Sequence, residues 1–151
     1  MRALERWALA LLALSALSVA APALLTPRDF YEHFPLGAAW VRALPPYNEH
    51  LTTDVGGLYL GFTVLFAWAA VTLERALVVP VCVAWSAFSI AHLGFHATHR
   101  AGAPDVALQL VGLAGVIALA LAAGVLARRP RGRQAAYPSG PPANVNTGIE
   151  G

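Results

Sequence analysis

Charge is what this sequence has least of. Of its 151 residues, 12% are charged and 58% are hydrophobic, where a soluble domain carries about 25% charged residues. So few charges cannot cover a water-facing surface, which argues against a soluble enzyme, and a disordered chain needs the opposite bias. Lysine is absent, and all ten basic residues are arginine. The single cysteine, Cys82, excludes an intrachain disulfide and any cysteine-based metal centre. One cysteine and one methionine offer little to copper(I). No nucleotide-binding glycine loop and no nucleophile elbow occurs. A net charge of +2 and a pI near 9.1 would suit nucleic acid. The arginines, however, lie scattered around apolar runs with one cluster near the C-terminus, so no nucleic-acid partner is expected. Arginine without lysine, together with abundant alanine, points to a GC-rich genome.

What the chain has is long apolar runs. A transmembrane helix needs about 20 predominantly apolar residues, and four stretches qualify: Trp7 to Leu25, Val55 to Leu73, Ala76 to Phe95 and Val106 to Ala127. The expected fold class is therefore all-α, a polytopic four-transmembrane-helix bundle over residues 1–127 in contact with the lipid bilayer. Spans two and three are joined only by Glu74 and Arg75, a tight helical hairpin, and Gly102 and Pro104 lie between spans three and four. A long outer loop, residues 26–54, separates spans one and two. Residues 128–151 turn basic, then rich in proline and glycine, with too little apolar surface to fold; a disordered cytoplasmic tail is expected.

Arginine placement sets the orientation. With the N-terminus inside, the cytoplasmic side holds Arg2, Arg6, Arg75, Arg128, Arg129, Arg131 and Arg133, against Arg28, Arg42 and Arg100 outside. Both termini are thus expected in the cytoplasm of a multi-pass cell-membrane protein. The first span also reads as a signal peptide, with Ser18-Val19-Ala20 as a small-residue cleavage site. Its apolar run continues to Leu25, longer than most signal cores, which favours a retained helix.

Thr26 and Pro27 fit an N-cap with proline at the first helical position, so a short interfacial helix is expected near residues 27–34. A second is expected near residues 37–44, ended by Pro45-Pro46, with Asn48 capping span two. Phe30, Tyr31, Phe34 and Trp40 are the aromatics of a headgroup boundary. Gly57 and Gly61 in span two, and Gly112 and Gly115 in span four, are small residues that let helices approach closely, within one chain or between chains.

One constellation can carry chemistry. Span three ends in His92, His96 and His99, with Ser89 on the same helix face, while span two opens with Glu49 and His50 and reaches Asp54 four residues later. The topology brings both ends to one side of the membrane. Imidazoles with a carboxylate make a site for zinc, iron or manganese. His92 and His99 are about 10 Å apart along the axis, so one ion cannot take all three span-three histidines. His50, Asp54, His92 and His96 are the candidate metal ligands, with Glu49, Ser89 and His99 behind them or at the rim. Haem b, with one axial histidine from each span, is an alternative. Polar packing between helices without any cofactor, and a proton- or ligand-handling site, also suit the stripe.

The block Pro45-Pro46-Tyr47-Asn48-Glu49-His50, then Asp54-Val55-Gly56 and the later His92, His96 and His99, resembles small four-helix membrane proteins of high-G+C bacteria, a likeness that implies the fold and no activity. Membrane di-iron desaturases also place histidine motifs at helix ends, but with about eight histidines against five here. Membrane zinc hydrolases of the alkaline ceramidase type are similar in an HxxxH pair, matched by His92 and His96, with Asp54, His50 and Ser89 as partners. That family has more spans than this chain. The default expectation is a non-enzymatic membrane subunit or scaffold that packs against other membrane helices or a second copy. The alternative is a metal- or haem-binding protein, including a zinc-dependent hydrolase acting through metal-bound water.

Overall fold

The computed structural model describes residues 2–99 and 106–128. They form five helices: α1 (Arg2–Leu25), α2 (Pro27–His33), α3 (Glu49–Thr72), α4 (Arg75–Thr98) and α5 (Val106–Arg128). The four long ones are long and apolar enough to cross a membrane. At 24 residues, α1, α3 and α4 each span about 36 Å, slightly more than the roughly 30 Å hydrocarbon layer. Their extra turns reach past the apolar runs to Arg2, Glu5 and Arg6 of α1, Glu49, His50 and Asp54 of α3, and Arg75 and His96 of α4. The chain is a four-helix membrane bundle, as the composition requires. The expected tail and the Gly102–Pro104 connector lie outside the described residues.

Successive long helices run antiparallel. The most extensive contact is α1 on α3, followed by α4 on α5; α1 on α5 and α3 on α4 close the ring. The core face of α1 repeats at helical spacing: Glu5, Leu9, Leu12, Ala16 and Ala20 are all buried. Opposite them lie Phe66 and Ala69 of α3, Val78, Cys82 and Trp85 of α4, and Ala120 and Ala123 of α5. Alanines of α1, α3 and α5 share this core with larger side chains, since dispersion and close backbone approach hold helices together in lipid, where burial of apolar surface brings no gain.

Helix ends follow local chemistry. Asn48 caps α3, its side chain accepting from the Leu51 amide at 3.0 Å. Thr26 is the N-cap residue of α2 with Pro27 following, as expected, but its hydroxyl makes no capping bond: it donates back to the Pro22 carbonyl at the end of α1. The hairpin linker is Leu73 and Glu74, and Arg75 already belongs to α4. Leu73 takes the left-handed conformation at φ 54, and its amide donates to the Ala69 carbonyl at 2.8 Å. The expected second interfacial helix is absent. Leu36, Gly37 and Ala39 adopt positive φ, which a right-handed helix cannot contain, and residues 34–37 and 40–43 form turns.

Candidate functional site

All five histidines lie at one end of the bundle, on α2, at the start of α3 and at the end of α4. Three are engaged locally. His33 Nδ1 meets the Asp29 carboxylate at 2.9 Å, one turn away on α2. His50 Nδ1 lies 3.5 Å from the Asp54 carboxylate on α3, both side chains facing outward. His99 closes α4: its Nδ1 contacts the Phe95 carbonyl at 3.1 Å and the Thr98 hydroxyl at 3.0 Å, and its ring stacks on Phe95.

His92 and His96 differ. Their rings meet edge to face with centres 4.7 Å apart, one helical turn from each other. His92 stacks on Phe88 at 5.7 Å, and Phe95 packs edgewise on His96 at 5.8 Å. Both are half-buried. They continue the core face of α4 outward from Trp85 and Ser89, each 2% exposed.

The expected convergence of His50, Asp54, His92 and His96 is not formed. No hydrogen bond, ion pair or ring contact joins the first two to the last two, and among the described residues no group of three or more histidine, cysteine or acidic side chains is placed to hold one ion. The physical reason is aromatic. Tyr59, Phe62 and Phe66 of α3 wedge against Trp85 and Phe88 of α4, with Trp85 edge-on to Tyr59 and Phe66. Bulky rings set the α3–α4 spacing below the histidines, and each histidine is left with partners on its own helix. Glu49 stands exposed in the first turn of α3, and Ser89 is buried in the core rather than at a rim.

Beside the site, the loop between α2 and α3 is tied to α2. Arg28 pairs with Glu32 and lies 4.9 Å over the Tyr47 ring, which also packs on Tyr31. Burial pushes the Tyr47 phenol above its ordinary value, and the Glu49 carboxylate pushes the same way.

The glycines also separate. A side chain at Gly57, Gly61, Gly112 or Gly115 would meet nothing within 4 Å, so none of them packs helices inside this chain. Gly56 does that instead: a Cβ there would lie 2.8 Å from Leu24 Cγ and 3.1 Å from Ala23 Cβ on α1. Gly56 follows the Asp54-Val55 step of the sequence block but was not distinguished from its neighbour by small-residue spacing alone.

Two residues at the opposite end of the bundle, where α1 starts and α3 ends, also stand out. Arg6 donates from Nε to the Ala70 carbonyl at 2.9 Å, capping the C-terminus of α3. Glu5, 4% exposed, points into the bundle with Oε1 lacking a partner among the described residues. Its helical spacing with Leu9, Leu12 and Ala16 was the available signal.

Comparison of the chain with protein-family models, with curated proteins and with solved structures finds no match in any of the three.

Proposed function

We propose that this chain is a small multi-pass membrane subunit that packs against partner helices, or a second copy of itself, and presents a polar histidine–aspartate face at the outer boundary. One observation carries the reading. Of these glycines, only Gly56 serves a close helix contact inside the chain, while Gly57 and Gly61 of α3 and Gly112 and Gly115 of α5 stand exposed with open space beside them. Glycine in a helix interior costs about 1 kcal/mol relative to alanine. Four such positions on outward faces suit a surface that another helix approaches closely. The arginine bias supports both termini on the cytoplasmic side.

The test is recovery of a defined homo-oligomer or partner from gently solubilised membranes, comparing wild type with a Gly57→Leu, Gly61→Leu double variant. The reading expects the complex to be lost while the variant keeps wild-type thermal stability. A wild-type chain that runs as a clean monomer with a measurable turnover would end the subunit reading.

A further inference from the structure

We propose that His92 and His96 form a two-histidine chelate for a divalent transition-metal ion of the Zn2+, Ni2+ and Cu2+ class, completed by solvent, at the outer end of α4. The site would exist whether or not the chain packs against a partner.

Three observations carry it. The first is availability. His33, His50 and His99 each have a ring nitrogen engaged by a neighbour one residue or one turn away, whereas among the described residues neither His92 nor His96 enters a hydrogen bond or ion pair. Two adjacent imidazoles therefore keep their nitrogens free.

The second is geometry. Two imidazoles bound to one tetrahedral ion at 2.0–2.1 Å per bond have ring centres roughly 5 Å apart. The observed separation is 4.7 Å, with the ring planes at 81°. Spacing of four along a helix is what puts both side chains on one face.

The third is restraint. Phe88 stacks on His92 with planes 14° apart, and Phe95 packs on the side of His96. These contacts limit the rotation that a free pair would lose on binding. Half-burial leaves part of each ring accessible, near the polar end of α4.

The donor set is nitrogen only, which suits borderline transition ions and disfavours Mg2+ and Ca2+, whose ligands are oxygen. It also differs from a four-residue site: His50 and Asp54 are already paired on α3 and are not needed.

The experiment is calorimetric titration of the full-length, detergent-purified protein with Zn2+, Ni2+ and Mg2+. One transition-metal ion per chain is expected, with no heat from Mg2+. His92→Ala or His96→Ala should each weaken Zn2+ binding by about tenfold or more, and His50→Ala should leave it unchanged. A second readout needs no variant: Zn2+ should slow modification of His92 and His96 by diethyl pyrocarbonate, mapped by mass spectrometry, without protecting His33, His50 or His99. Absence of Zn2+ binding by the wild type would overturn the proposal. So would equal loss in His50→Ala, or protection spread over all five histidines.

Discussion

Gly56 and Gly57 are neighbours in sequence with opposite surroundings, and the difference can be measured. A methyl group at position 56 would press on Leu24 and on the backbone of Ala23, which is 3.2 Å away. Gly56→Ala is expected to destabilise the bundle by about 1–3 kcal/mol through overpacking. Gly57→Ala, with open space beside it, is expected to be neutral or stabilising by up to about 1 kcal/mol. Denaturant or thermal midpoints of the purified variants check the pair; equal behaviour would remove the α1–α3 close approach. Arg6 offers a second contrast. Its guanidinium satisfies a carbonyl that the end of α3 leaves open. Arg6→Ala is expected to cost about 1–2 kcal/mol, and a midpoint indistinguishable from wild type would show that the cap contributes nothing.

At the scale of elements, α1 is the one the bundle can least lose. It supplies the buried stripe from Glu5 to Ala23 and makes the most extensive helix contact, with α3. Retention of this helix is therefore expected, and N-terminal sequencing of the purified protein should return residues ahead of Trp7. A mature chain starting near Ala21 would strip Leu9, Leu12 and Ala16 from the core and contradict the expectation. The four spans were legible in the sequence because apolar length is a strong signal, and so were Pro27 and Asn48, whose side chains act within one turn. The second interfacial helix was not. Its failure turns on left-handed backbone at Leu36 and Ala39, residue types that carry no such preference in a sequence. The candidate site was half legible. Spacing of four paired His92 with His96 and His50 with Asp54, since each pair lies on one helix. Whether the pairs would meet depended on the α3–α4 separation, and Tyr59, Phe62, Phe66, Trp85 and Phe88 set that by ring packing that no spacing rule encodes.

For the molecule as a whole, the two ends of the bundle differ in chemistry. One end gathers Arg2, Arg6, Arg75 and Arg128; the other gathers all five histidines with Asp29, Glu32, Glu49 and Asp54. Antiparallel succession of the helices brings each set together from positions far apart in the chain. Arginine is retained on the cytoplasmic side during insertion, so the arginine end should face inward and the histidine end outward. The outer histidine–aspartate face of the proposed subunit depends on that placement. The most direct test is a pair of topology reporters in the full chain, one fused after Ala127 and one inserted near Gly102. A cytoplasmic signal from the first and an external signal from the second is the expected result. The reverse pattern would place the histidines on the inner face of the membrane, and both reporters on the same side would contradict α5 as a span.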